Sequence, residues 1–195
     1  MKILISSHHF LPSLGGIETV TNLLASDFVR RGHEVRVVTQ TPGNGSFAFE
    51  VVRRPNPGQL VAAVRWSEVF WQNNISLRTI WPLLFIRRPL FITQQTWIAS
   101  PDGRSHWSHA LKRVVLRCVR SFAISRAVAE TMPTPSAVIG NPYDETVFKV
   151  VPGTARNSDL IFVGRLVSDK GADLFLDALV HLRNSGLRPS ATIVG

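Results

Sequence analysis

From its start the chain alternates two kinds of segment, and that alternation leaves few folds open. Short apolar runs of strand length, KILISS (2–7), HEVRVVTQ (33–40) and FEVVRRP (49–55), are set apart by segments with helical spacing. In IETVTNLLASDFVRRG (17–32), Val20, Leu23, Leu24 and Phe28 share a face and Gly32 closes the helix. QLVAAVRWSEVFWQNN (59–74) also reads as helical. Further on, RPLFITQQ (88–95), FAIS (122–125) and PSAVIGNP (135–142) are expected as strands, and SHALKRVVLRCVRS (108–121) as a basic amphipathic helix. Strands alternating with helices of this length predict an α/β fold, a Rossmann-like parallel sheet with helices on both faces.

The pattern pauses at KVVPGTARNS (149–158), where Pro, Gly and polar residues separate two structured stretches. It then resumes as DLIFVGR, ADLFLDALVHLRNSG and SATIVG, one strand, one helix and one strand. This divides the chain into a first domain at 1–152, a linker at 153–158 and the opening of a second domain at 159–195. A single β-α-β unit cannot bury both of its own faces. The expectation is therefore a piece of a longer two-domain protein, poorly soluble or prone to self-association, weak or absent in nucleotide binding and inactive by itself.

Charge narrows the class of partner. The net charge is +9, and between residues 51 and 126 twelve Arg or Lys face only two acids, Glu68 and Asp102. Such a field favours phosphate-bearing partners, although a solvated basic face gives the same count. One cysteine, Cys118, excludes an internal disulfide and a cysteine zinc site, which suits a reducing cytoplasm. No run approaches the ~20 apolar residues of a membrane span.

Two glycine-bearing loops stand at strand ends. In LPSLGGIE, Gly15 and Gly16 would let backbone amides approach an anion at a helix start, or would simply allow a tight turn. No G-x-G-x-x-G is present, and the second strand ends Thr39-Gln40 without the acid that binds an adenosine ribose, so a dinucleotide site is excluded. In FVGRLVSDKG (162–171), Gly164 keeps the loop close-fitting, Arg165 can fork two phosphate oxygens and Lys170 adds a point charge.

With GGIE, RRGHEVRVVT, FAISRAVAETM, VIGNPYDETVF and FVGRLVSDKG in that order, the chain resembles the N-terminal domain and first C-terminal unit of GT-B retaining glycosyltransferases of the family-four type. The resemblance implies an acceptor-side first domain and a nucleotide-sugar-binding second domain. It implies transfer of a sugar from a nucleotide diphosphate sugar to a hydroxyl, on a glycan or a lipid-linked acceptor, in cell-surface glycan or glycolipid synthesis. Arg165, Lys170 and Gly164 would hold the donor diphosphate without a metal or cofactor, and Gly15, Gly16 and Glu18 would form the glycine-rich loop. Gln95, Ser125 and Asn141 would lie on the acceptor side; the resemblance names no catalytic residue. VIGNPYDETVF keeps Asn141, Asp144 and Phe148 but has Pro142 where the family has glycine. TQQTW places Gln95 where the family often has a histidine; His106 and His109 are candidates to replace it.

The basic helix carries a last expectation. With Leu111, Val115, Cys118 and Phe122 on one face, Lys112, Arg113, Arg117 and Arg120 would face an anionic membrane, placing the protein at the inner face of the plasma membrane. The alternatives are a sugar-nucleotide epimerase on the same architecture and a non-catalytic anion- or nucleic-acid-binding domain. Nucleic acid is not the expected partner, because no helix-turn-helix, zinc spacing or aromatic interleaving accompanies the basic residues.

Overall fold

The computed structural model describes residues 1–98 and 107–195, which divide into two compact units, Met1–Phe148 and Lys149–Gly195. In the first, strands β1 (Lys2–Ser7), β2 (Glu34–Thr39), β3 (Glu50–Arg53), β4 (Val69–Asn73), β5 (Leu90–Gln94), β6 (Arg120–Ala123) and β7 (Ala137–Val138) form one sheet. Its order is β3-β2-β1-β4-β5-β6-β7, and every pairing is parallel. The fold is thus the expected Rossmann-like α/β sheet.

Alternating side chains of β1 divide the core. Ile3 and Ile5 pack with Val35, Val37 and Ala25 under helix α1 (Gly16–Arg30). Leu4, pointing the other way, packs with Val38, Phe70 and Leu60, Ala63 and Val64 of helix α2 (Pro57–Trp66). Ile75, Ile92 and Leu116 make a third cluster beneath helix α4 (Trp107–Cys118). Two short helices complete the unit, α3 (Leu77–Ile80), which runs into a 3-10 turn at Trp81–Leu84, and α5 (Arg126–Glu130).

The helical reading of 59–74 is corrected. Asn56 starts α2 with a reciprocal capping box to Gln59, and Pro57 supplies a fixed φ at the first turn. The helix ends at Ser67, whose backbone is extended at ψ 150° and whose Oγ donates to the Val64 carbonyl. Val69-Phe70-Trp71 then enter β4, paired to both β1 and β5, because branched and aromatic side chains fill a pleated surface well. Phe70 is fully buried there. The helix expected over 108–121 also stops earlier, at Cys118, and Arg120 and Phe122 belong to β6.

The second unit holds β8 (Leu160–Val163), a 3-10 turn at Ser168–Lys170, helix α6 (Ala172–Asn184) and β9 (Ala191–Val194). β8 and β9 pair in parallel, and Phe162 meets Phe175 of α6 at 5.7 Å between ring centroids. Among the described residues no helix is long and apolar enough to cross a membrane.

Candidate functional site

In an open parallel sheet, neighbouring strands whose connections leave toward opposite edges open a crevice at their carboxyl ends. Here the chain moves from β1 outward through β2 to β3, then returns to lay β4 on β1's other side. The crevice is occupied by a cleft of about 740 Å³. Its walls come from the loop after β1 (His8, His9), the end of β4 and start of α3 (Asn73 to Arg78), the end of β5 (Gln94, Trp97) and the start of α4 (Trp107, His109, Lys112). That size suits a small-molecule ligand.

Hydrogen bonds fix these walls to the sheet. The His8 carbonyl accepts from Thr39 Oγ1 and the Gln40 amide, both at 3.1 Å. Gln72 is fully buried; its Nε2 donates to Thr79 Oγ1 (2.7 Å) and the Ser76 carbonyl (3.0 Å), and its Oε1 accepts from the Ser76 amide (3.1 Å). Ser6 Oγ adds a bond to Thr79 Oγ1 at 2.9 Å, so the segment carrying Arg78 is pinned to the ends of β1 and β4. Between them Asn74 takes a left-handed conformation, φ 68°, which Asn tolerates better than most residues. Its Oδ1 accepts from the Gln95 amide at 2.6 Å, closing the β4 and β5 ends together.

Asn73 occupies the centre. It is 3% exposed, and its Nδ2 donates to Thr21 Oγ1 (2.8 Å) and the Ile17 carbonyl (3.2 Å) of α1. The Thr21 hydroxyl spends its own proton on the Ile17 carbonyl at 2.7 Å and can only accept from Asn73. The amide orientation is therefore set by the network, and Oδ1 is buried with no hydrogen-bond partner among the described residues.

Among the described residues, the charged side chains that line the cleft are basic. Arg78 and Lys112 line it and make no ion pair among the described residues, and no described lining residue is an Asp or Glu. His8 and His9 meet edge to face at 4.7 Å. Partial desolvation, then His9, then the Arg78 guanidinium, lower the His8 pKa below the ordinary imidazole value, which favours the uncharged ring at neutral pH. No three His, Cys, Asp or Glu side chains gather as a metal site among the described residues.

The residues expected from sequence divide among several places. Gly15 and Gly16 begin α1 beside the cleft; a side chain at Gly15 would strike Glu18 Oε2 at 2.5 Å, whereas the space at Gly16 is open. Glu18 is buried and its Oε1 accepts from Ser13 Oγ at 3.0 Å. Gln95 and Asn141 lie together in a different hollow of about 530 Å³, walled by Phe28, Trp71, Phe91 and Phe122 on the α1 side of the sheet. There the buried Gln95 Nε2 is unpartnered among the described residues. Ser125 caps α5, its Oγ accepting from the Val128 amide at 3.3 Å. Asp144 accepts from the Thr146 amide and hydroxyl, which lower its carboxyl pKa, and so shapes a local turn.

On α4 the buried and exposed faces differ from expectation. Leu116 is buried, with Val115 and Val119 packed beside it, whereas Leu111 and Cys118 are exposed. Lys112 turns inward to line the cleft, and Arg120 opens β6; only Arg113 and Arg117 remain on the outer helix surface. His109 lines the cleft too, while His106 lies outside the described residues. In the second unit Gly164, Arg165 and Lys170 occupy the single connection from β8 to α6. The Gly164 amide donates to the Val194 carbonyl at 2.9 Å, and Gly171, φ 76°, turns the chain into α6. His8, His9, Asn73 and Arg78 went unnoticed in the sequence, since only the strand order brings them together.

No protein-family model matches the chain, and no curated protein sequence matches it. Among solved structures it is similar to WaaG, a glycosyltransferase involved in lipopolysaccharide biosynthesis, with TM-score 0.59 and 16% identity over 98% of this chain and 62% of that one. It is also similar to an α-glucosyltransferase in complex with UDP and a 13-mer DNA containing a central A:G mismatch, with TM-score 0.58 and 17% identity over 99% of this chain and 55% of that one. An α-glucosyltransferase bound to UDP and a 13-mer DNA containing an HMU base gives 0.54 and 15% over 100% and 67%. The chain thus spans between about half and two thirds of the lengths of these glycosyltransferases and shares their α/β fold.

Proposed function

We propose that the chain belongs to a retaining glycosyltransferase that moves a sugar from a nucleotide diphosphate donor to a hydroxyl. The observation carrying this reading is that the likeness to sugar-transferring enzymes runs along nearly the whole chain, through both units. Each unit supplies one half of what transfer needs. In the second, Arg165 and Lys170 stand on the loop at the carboxyl end of β8, where a diphosphate would sit. In the first, the switch-point cleft receives the acceptor.

In the reaction the bond from the sugar C1 to the diphosphate oxygen breaks and its electron pair leaves with the diphosphate. The acceptor hydroxyl oxygen bonds to C1 on the same face, and the hydroxyl proton departs with the nucleoside diphosphate. Arg165 and Lys170 absorb the charge that develops on the leaving group, a role a metal would otherwise fill, so a chelator leaves the activity unchanged. The outer surface of α4, with Arg113 and Arg117 beside exposed Leu111 and Val114, would rest on an anionic membrane carrying a lipid-linked acceptor.

The test is a comparison of ligands. Saturation-transfer NMR with UDP-, GDP- and ADP-sugars is set beside filter binding to oligonucleotides. Saturable contact with one class of sugar nucleotide, without isomerisation of its sugar, is the expected result. Tight oligonucleotide binding with no sugar-nucleotide contact supports the nucleic-acid-binding domain instead, and a changed sugar configuration without an acceptor supports the epimerase.

A further inference from the structure

The cleft of the first unit is built for more than a generic hydroxyl. Arg78 and Lys112 reach it from α3 and α4, and no described acid on its lining offsets them. Asn73 is one of its lining residues, and two bonds from its Nδ2 to α1 fix the amide so that Oδ1 is buried and without a donor among the described residues. A buried acceptor without a donor carries a desolvation penalty, so a ligand hydroxyl that donated to it would relieve that penalty. Exposed Trp97 and Trp107 add flat apolar surface at the rim, suited to the C–H face of a sugar ring.

We infer that this cleft binds a phosphorylated polyhydroxy compound, its phosphate neutralised by Arg78 and Lys112 and one of its hydroxyls donating to Asn73 Oδ1. The inference rests on the glycosyltransferase reading and names the acceptor class for that site. Two cations on separate elements, in a concave site with low-dielectric walls, attract a dianion more strongly than the same charges spread over a convex surface. A neutral sugar would satisfy Asn73 alone, and inorganic phosphate would meet the cations alone; the combined ligand uses both.

The experiment is calorimetric titration of the chain with glucose 6-phosphate, glucose and inorganic phosphate. Glucose 6-phosphate is expected to bind at least ten-fold more tightly than either of the others. Arg78→Gln with Lys112→Gln should weaken glucose 6-phosphate at least ten-fold and leave glucose unchanged. Arg113→Gln with Arg117→Gln, on the outer surface of α4, should leave glucose 6-phosphate binding within two-fold in buffer of moderate ionic strength. Asn73→Ala should bring glucose 6-phosphate down to the affinity of inorganic phosphate; Arg78 is exposed, so its variant keeps the test decisive if Asn73→Ala does not fold. Equal affinity for glucose and glucose 6-phosphate, or equal losses from the inner and outer pairs of cations, would overturn the inference. Sugar-nucleotide contact measured on the same samples separates the outcomes: if it persists while the phosphate ester fails to bind, the acceptor class is wrong and the glycosyltransferase reading stands.

Discussion

His8 shows how a single side chain reports on the cleft. Partial burial, then His9 and Arg78, hold its pKa below the ordinary imidazole value in the folded chain, so on acidification the unfolded chain takes up the proton first. Stability that is complete above about pH 6.5 should fall as the pH drops through the lowered pKa. Urea unfolding of wild type and His8→Asn on both sides of that value checks this: the variant should lose less stability on acidification, and identical losses would contradict the assignment. Gln72 offers a second test at this scale. Replacing it with Leu keeps the bulk but strips the Ser76 amide of its acceptor and removes one of the Thr79 hydroxyl's bonds, at a cost of roughly 1–3 kcal/mol in denaturant unfolding. Arg165 and Lys170 were singled out because a local motif carries them, and the structure puts both on the connection from β8 to α6. Asn73 and Arg78 were not, because their meaning depends on β4 lying beside β1, a long-range fact that no local spacing encodes.

At the scale of elements, α2 and α4 repay attention for opposite reasons. The reading of 59–74 passed over the capping box that N-P-G-Q forms at the start of α2, and Asn56→Ala should cost about 1 kcal/mol. What followed was hidden: W-S-E-V-F-W continues a helical rhythm, and only the capped end at Ser67 and the pairing of β4 on both sides convert it to strand. On α4 the expected faces were rotated, so that Lys112 serves the cleft rather than the outer surface. Membrane docking, if Arg113 and Arg117 supply it, should weaken roughly thirty-fold in Arg113→Gln with Arg117→Gln, at about 1 kcal/mol for each residue near an anionic bilayer. Co-sedimentation with vesicles of phosphatidylcholine with and without phosphatidylserine measures this. Equal partition of both proteins onto both vesicles would remove the membrane from the account.

Over the whole molecule, alternation of strand and helix disclosed the parallel sheet, and a stretch rich in Pro, Gly and polar residues lay where the two compact units meet in sequence. The second unit, with Ile161, Val163, Leu174, Leu176 and Val180 exposed, leaves apolar surface on its strands and on its helix. Sedimentation velocity should therefore show concentration-dependent association; a single monomeric species at every concentration would contradict this. The central claim, that this is sugar-transfer machinery, is tested most directly at the β8–α6 loop. Saturation-transfer NMR, which reads weak affinities, compares sugar-nucleotide contact in wild type and in Arg165→Ala with Lys170→Ala. The account predicts contact with the nucleotide and sugar protons in wild type and its loss in the double variant. Contact undiminished in the double variant, or absent from wild type with every UDP-, GDP- and ADP-sugar, would contradict it.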